Sequence, residues 1–459
     1  MNLSIQNTAR NKKNNFFFTF LLDKFLWICY IKVKEQLRID MSKKIKVLGD
    51  HPLSPSGVGT QTKLVCEALL NSGKFSILSL GGAIKHSDYT PIKVGKYEDD
   101  WKIIPVNGYG TPEMLRSIVR NEKPDIVWFM TDPRFYEWLW SIENEIRPLC
   151  PLVYYHVWDN YPFPMYNRKF YESNDHIFTI SQLTQDVVKN VAPNTPSTYI
   201  PHAVDGDLFR PFSEEERKNL REQNLDKRDH DKFIVFWNNR NARRKQSGSL
   251  LFWWKDFLDK NNLHDKAQLL MHTDPKDIHG QDLEHIADHL GMSNREVMFS
   301  TTKVPTENMP VFYNLADATI NVADAEGFGL STLESLSCGR PIIATMTGGL
   351  QEQIICGEDQ FGIPLFPSSK AVIGSQQVPY IYEDRLDGHQ VVSALTNLYL
   401  MGPVERNKMG MLGREHVLKN YNFSNFNETW VKQMLQVYED NGSWETRKNY
   451  DGITFKELV

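Results

Sequence analysis

Glu326 and Glu334 stand eight residues apart in the block DAEGFGLSTLESLSCGRPIIATMTGG, residues 324–349. Gly327 and Gly329 follow Glu326 and let the backbone come close to a ligand. Ser331 or Thr332 can cap a helix starting here. The free N–H groups and positive dipole end of such a helix suit a phosphate. Glu334 then falls near the first turn, where a carboxylate accepts hydrogen bonds from vicinal hydroxyls such as those of a ribose. Taken alone, Glu334 reads as a surface acid opposing the helix dipole. The block as a whole is much harder to explain as structure.

A second constellation is WNNRNARRKQ, residues 237–246, with Arg240, Arg243, Arg244 and Lys245. Four cations after an apolar strand suit a diphosphate, since Arg offers a fork of donors and Lys a compact charge. The bland alternative is a solvated basic loop. A third is Gly57-Val58-Gly59 in DHPLSPSGVGTQT. It matches a dinucleotide fingerprint only in part, because Thr62 stands where the last glycine belongs. That disfavours a nicotinamide-dependent oxidoreductase. Asp205-Gly206-Asp207 spells a metal-binding DxD but sits in a connecting segment, and reads as coincidence. His285 and His289 have helical metal spacing without a third ligand. No metal and no cofactor is expected.

These residues need strands and helices to hold them. Short apolar runs at 44–49, 75–80, 102–106, 125–130, 152–157, 176–180 and 197–200 alternate with amphipathic segments at 60–72, 112–122, 134–146 and 181–191. Unbroken apolar strands alternating with helices predict a parallel sheet covered on both faces. After the charged segment 211–231, a second series runs through 232–237, 267–272, 296–300, 318–322 and 341–344. Helices are expected over 388–401, 404–419 and 424–439, then a polar tail that frays. The expected fold class is α/β, with two doubly wound Rossmann-like units facing a cleft. Ligands of open α/β sheets bind at the carboxyl ends of the strands, so both sheets should point their chemistry into that cleft. The expected division is 41–205, 206–423, a closing helix at 424–440 and a tail at 441–459.

With 459 residues the chain is too long for one core. Apolar residues at 41% and charged residues at 24% exclude wholesale disorder and a polytopic membrane protein. A net charge of −5 argues against a nucleic-acid-coating protein. Cys29, Cys66, Cys150, Cys338 and Cys356 are odd in number and scattered, which predicts buried reduced thiols and a cytoplasmic location. The apolar run 16–31 is 16 residues long and interrupted by Asp23 and Lys24, too short and too charged for a span of about 20. Residues 1–40 are expected to be an appendage or a product of start-site choice, with peripheral membrane contact as the alternative.

The block from Glu326 through Gly327-Phe328-Gly329-Leu330 to Glu334, Gly339, Pro341 and Ala344, then Gly348-Gly349 and Glu352, resembles family-4 glycosyltransferases of the GT-B fold. VPTENMPVFYNLADATI (304–320), the five-residue spacing from Arg240 to Lys245, and PHAVDGDLFRP (201–211) are similar to that family as well. Ala203 stands where Gly is usual, and Val322-Ala323 where Pro-Ser is usual. The resemblance runs from about Lys44 to about Val437 and is most specific in the C-terminal half. It implies retaining transfer of a sugar from a nucleotide sugar to a glycan, lipid or small-molecule hydroxyl. It implies that Arg240 and Lys245 stabilise the leaving diphosphate, that Glu326 contacts the donor sugar and that Glu334 binds the ribose. It implies that the amides of Phe328 to Ser331 hold phosphate and sugar, that Gly59 admits them, and that His156 contacts the transferred sugar. Asp132 and Asp159 are acceptor candidates. The rival readings are an epimerase or hydrolase of the same fold and a non-catalytic nucleotide-sugar-binding protein.

Overall fold

A computed structural model describes residues 42–450. The expectations for residues 1–40 and for Cys29 lie outside the described residues. Among the described residues no helix is long and apolar enough to cross a membrane.

The first half builds an eight-stranded sheet from β1 (Lys43–Asp50), β2 (Phe75–Gly82), β3 (Ile92–Lys93), β4 (Trp101–Pro105), β5 (Ile126–Met130), β6 (Leu152–His156), β7 (His176–Thr179) and β8 (Ser197–Tyr199). Its order is β3-β4-β2-β1-β5-β6-β7-β8. Every pair is parallel except the short edge pair β3–β4. β5 is buried at all five positions, IVWFM, and β6 likewise, which is why neither strand alternates polar with apolar residues.

The second half forms a six-stranded sheet. β9 (Phe233–Asn238), β10 (Ala267–His272), β11 (Val297–Ser300), β12 (Ala318–Asn321) and β13 (Ile342–Thr345) were legible as apolar runs. A small hairpin, β14 (Ile355–Cys356) with β15 (Asp359–Gln360), precedes the sixth strand, β16 (Gly362–Leu365). The order is β11-β10-β9-β12-β13-β16, all parallel. The order reverses beside β9 and β12, which places a crevice at the carboxyl ends of those two strands.

The halves share one core. Trp128, Tyr155 and Phe178 of the first sheet lie in the same apolar cluster as Phe328, Leu336 and Trp430. Trp430 belongs to the helix Phe423–Asn441, and its ring stands 4.8 Å from Tyr155 and 4.9 Å from Phe178. The C-terminal helix therefore returns to the N-terminal sheet. The two connections between the halves also meet, where Val204 N–H donates to Tyr421 O at 2.9 Å.

Three expectations need correction, and one element had no counterpart among them. The tail does not fray before Tyr450. Ser443 Oγ donates to Asp125 at 2.6 Å, Trp444 Nε1 to Pro124 O at 3.0 Å and Arg447 to Asp175 at 2.6 Å. The segment 134–146 is not one helix but a 3-10 turn, Pro133–Phe135, followed by Glu137–Trp140 and Glu143–Ile146. Tyr136, Leu139, Trp140 and Ile142 are all buried. A straight helix would set residue 142 about 240° from residue 136, so the chain bends to bury both. Cys356 is exposed, unlike the buried Cys66, Cys150 and Cys338. Finally, a hairpin of β17 (Ser369–Ile373) and β18 (Ile381–Arg385) was not anticipated.

Candidate functional site

β12 stops at Asn321, and a glycine-rich loop leads into the helix Leu330–Ser337. Gly329 caps that helix in the left-handed region, φ 91°, where a side chain would be strained. Gly348 also has positive φ, and a Cβ there would lie 1.7 Å from Glu326 O. Only glycine permits this backbone-on-backbone contact. Gly349 N–H then donates to Glu326 O at 3.1 Å. The glycine pair thus clamps the main chain of Glu326.

The cation loop after β9 reaches the same point. Lys245 Nζ donates to the Glu326 carboxylate. Arg244 Nη1 donates to Ala325 O at 2.5 Å and lies 3.9 Å from Glu326 Oε2. Asp324 N–H donates to Arg244 O at 2.8 Å, so the two loops are stitched together by main chain as well. Lys245 is 8% exposed and Glu326 13% exposed at the side chain. Burial pushes the Glu326 carboxyl up, but Lys245 and Arg244 outweigh it and hold Glu326 below the usual carboxylate range. Asp159, from the loop after β6, feels the same cations across the junction. Burial dominates there and pushes its carboxyl up to about 6, with Arg244 opposing.

Glu334 sits in the helix beyond, among different neighbours. Tyr313 donates its O–H to Glu334 at 2.5 Å, and Asn238 at the end of β9 donates to that hydroxyl at 3.0 Å. No cation lies within ion-pair distance of Glu334 among the described residues. Burial pushes its carboxyl up to about 7, with the Tyr313 hydrogen bond opposing.

The residues named from sequence divide by place. Lys245, Glu326, Gly327, Phe328, Gly329, Leu330, Ser331 and Glu334 all fall on the loop-and-helix corner at the carboxyl ends of β9 and β12. A Cβ on Gly327 would meet Val157 O at 3.3 Å and Ile180 at 3.2 Å, so this corner abuts the first half. Phe328 points into the shared core, 3% exposed, its ring 5.0 Å from His202. Only its backbone faces the corner. Arg240 lies apart, 61% exposed and paired with Asp277 at 2.6 Å.

Gly59 is buried in the helix Gly57–Asn71, where a Cβ would lie 2.8 Å from His51 O. Gly57 is the exposed glycine, and a Cβ on it would face Leu330 at 4.0 Å. His156 is fully buried, its ring between Tyr154 at 4.8 Å and Tyr171 at 4.6 Å. Among the described residues neither ring nitrogen has a hydrogen-bond partner, and burial pushes the imidazole down to about 3. Glu352 joins the halves, accepting from Gln182 N–H at 2.9 Å and Tyr199 O–H at 2.7 Å. Asp205 accepts from Asp207 and Leu208 N–H at 3.0 Å each, which makes the DxD segment a tight turn.

Sequence reasoning missed a strap over the corner. The β17–β18 hairpin reaches back to the first half, where Tyr382 N–H donates to Tyr161 O at 2.6 Å and Tyr166 O–H to Tyr380 O at 2.9 Å. At its base Glu383, 2% exposed, receives Arg243 and also Arg385 at 2.7 Å. The signal was present as two alternating runs, SKAVI and IYEDR, but each is short and half exposed. Arg244 and Tyr313 were visible as residues, yet nothing in the spacing set them above their neighbours.

Residues 217–372 match the family model for Glycosyl transferases group 1. The D-inositol 3-phosphate glycosyltransferase of Corynebacterium jeikeium is 30% identical over 179 residues, which is 38% of this chain and 41% of that protein. Matches to the curated relatives cover less than half of those proteins' own length, from 16% to 49%. Sucrose-phosphate synthase from Thermosynechococcus elongatus superposes with a TM-score of 0.68 at 18% identity, covering 87% of this chain and 100% of that one. The Anabaena protein HepE in complex with UDP-glucose gives 0.63 at 14% identity, covering 86% and 99%. The chain therefore shares the GT-B fold of these structures. The segment 217–372 that matches the group 1 model contains both the cation loop and the glutamate block.

Proposed function

We propose that this protein transfers a sugar from a nucleotide-sugar donor to a hydroxyl acceptor, with retention of anomeric configuration and without a metal ion. The observation that carries the reading is the convergence of Lys245 and Arg244 on Glu326 beside the start of the helix Leu330–Ser337. A diphosphate placed at that helix start meets N–H groups that no side chain caps, the buried Lys245 and the more exposed Arg244. Its negative charge grows as the bond to the anomeric carbon breaks. Fixed cations and amides therefore act most strongly at the transition state. The acceptor oxygen bonds to the same carbon, and its proton leaves with the departing phosphate oxygen or to solvent.

In this reading Glu326 contacts the donor sugar and keeps Lys245 in place before the donor arrives. Arg240, on the outer side of the loop, must leave Asp277 to reach the diphosphate. Glu334 takes the ribose hydroxyls, with Tyr313 fixing its orientation. The acceptor lies on the first half, where Asp50 is held by Tyr109 at 3.0 Å and Ser56 at 2.7 Å. The donor's kind is suggested by the UDP-glucose of the HepE complex, a fold-level likeness. A cytoplasmic site of action, with at most peripheral membrane contact, completes the reading.

The test is nucleotide release from UDP-, GDP- and ADP-sugars with mixed acceptors and EDTA present. Release from one donor, dependent on acceptor and insensitive to EDTA, is the expected result. Release without acceptor would favour a hydrolase. Binding without release under every acceptor would replace transfer with a binding role.

A further inference from the structure

The opposite end of the six-stranded sheet holds a polar cavity. Phe233, the first residue of β9, and Asp317, just before β12, both line it. It therefore sits at the amino ends of the strands whose carboxyl ends carry Lys245 and Glu326. A six-residue strand separates the two by about 20 Å. The cavity measures about 670 Å³. Seven lysines and arginines line it against four acids, in a chain whose net charge is −5.

Several of these charges are already matched. Arg228 is held by Asp226 at 3.1 Å, Lys232 by Asp229 at 2.9 Å, and Lys218 lies 3.9 Å from Glu222. Arg217 and Arg221 share the single carboxylate of Asp317, at 3.1 and 3.0 Å, and tie the helix Glu214–Asn224 to the carbonyls of residues 314–316. Asp317 is further committed to Ile234 N–H at 2.9 Å. Of the remaining acids, Asp265 pairs outward with Arg295 at 3.0 Å, and Glu214 and Asp231 are exposed.

Two cations have no carboxylate at all within ion-pair distance among the described residues, Lys266 at the rim and Arg406 within. Arg406 is 8% exposed. Its Nη1 donates to Leu398 O and Tyr399 O, both at 3.1 Å, and its guanidinium lies 4.9 Å from the Phe233 ring. Its Nε and Nη2 have no acceptor among the described residues. Burial pulls its proton affinity down, Asp317 opposes, and Arg217 and Arg221 add to the loss. Neither Nε nor Nη2 is among the buried polar atoms left without a partner, so both still reach solvent and are free to donate to an anion in the cavity. The helix Gly402–Asn420 also begins here with no side-chain cap, and of Gly402 and Pro403 on the cavity wall only Gly402 carries an N–H.

We propose that this cavity binds a phosphorylated ligand, its phosphate dianion seated between Arg406 and the start of the helix Gly402–Asn420, with Lys266 closing the rim. Arg406 supplies Nε and Nη2, Gly402 supplies a backbone N–H at the positive end of the helix dipole, and Lys266 supplies a mobile charge. A soluble phosphate ester and a phosphorylated lipid headgroup share this chemistry.

The experiment titrates inorganic phosphate into the full chain by calorimetry, with Arg406→Gln, Lys266→Glu and Lys245→Ala beside the wild type. Arg406→Gln and Lys266→Glu should each weaken one phase of phosphate binding about tenfold, while Lys245→Ala should act only on a separate phase belonging to the proposed diphosphate site. Lys266 is exposed, so its variant keeps the test valid if Arg406→Gln fails to fold. Phosphate binding that survives Lys266→Glu but falls with Lys245→Ala would assign the anion to the other end of the sheet and overturn the proposal. Absence of any binding would also overturn it. Flotation on phosphatidylcholine vesicles with and without a phosphatidylinositol phosphate separates the sources: co-flotation only with the phosphorylated lipid assigns the headgroup, and phosphate binding without flotation assigns a soluble ester. Nucleotide release from sugar donors is read separately, so failure of the proposed transfer and failure of this site are distinguishable.

Discussion

The corner around Glu326 and the corner around Glu334 lie on one loop and helix, yet their electrostatics run in opposite directions. Glu326 faces Lys245 and Arg244 and is held ionised. Glu334 accepts from the Tyr313 hydroxyl with no cation in ion-pair distance among the described residues, and its carboxyl is pushed up to about 7. Burial acts upward on both. What differs is whether a cation reaches the carboxylate from another element. The lesson is that the first corner is built for a charge that must stay fixed, and the second for a hydrogen bond that depends on protonation.

The largest expected effect breaks the first corner. Glu326→Ala and Lys245→Ala should each lower kcat by about a thousandfold, as loss of a transition-state charge partner does. The readout is nucleotide release at saturating donor; activity within twofold of wild type would remove either residue from the mechanism. Next comes stability. Lys245→Met leaves Glu326 with Arg244 alone and should cost on the order of 3 kcal/mol, whereas Lys245→Met with Glu326→Gln should recover most of it. Urea unfolding of the wild type, the single and the double variant decides this, and a double variant no more stable than Lys245→Met would contradict the pairing.

The second corner gives smaller numbers. Glu334→Ala should weaken nucleotide binding about tenfold with little change in the rate of the bound complex. If the ionised carboxylate accepts ribose hydroxyls, wild-type affinity should rise as pH climbs through about 7. Glu334→Gln should flatten that profile, and calorimetry at several pH values would show a persisting step if another group were responsible. The same raised carboxyl makes the free protein lose stability as pH rises from the ordinary glutamate range to about 7, since the unfolded chain releases that proton first. Glu334→Gln should lose less over that interval in urea unfolding. Smallest of all, Glu383→Gln frees Arg243 from the strap and should lower kcat/KM about two- to threefold, about the worth of one partly exposed ion pair. An unchanged value would make the hairpin irrelevant to the first corner.

Much of the fold was legible because the strands are buried on both faces. Runs such as IVWFM and FIVFWN cannot be anything but interior, and they mark both sheets. The C-terminal corner was legible because glycines and acids crowd one short segment. The hairpin, the broken helix near Trp140 and the docked tail escaped for a shared reason. Their stability comes from distant partners, as when Ser443 meets Asp125 or Tyr382 meets Tyr161. Gly57 and Gly59 differ for the same reason: local sequence offers two glycines, and only the neighbouring His51 carbonyl shows which one is walled in.

By itself, then, the sequence determined two α/β units and the identity of the side chains available at their strand ends. Periodicity and residue type are local properties, and they suffice for that. The tertiary structure decided that Lys245 rather than Arg240 meets Glu326, that Glu334 stays without a cation, and that Arg406 is buried with spare donors. Those outcomes depend on which loops the packed sheets bring within a few ångströms. Coulomb and desolvation energies change steeply over that distance, and sequence spacing does not measure it.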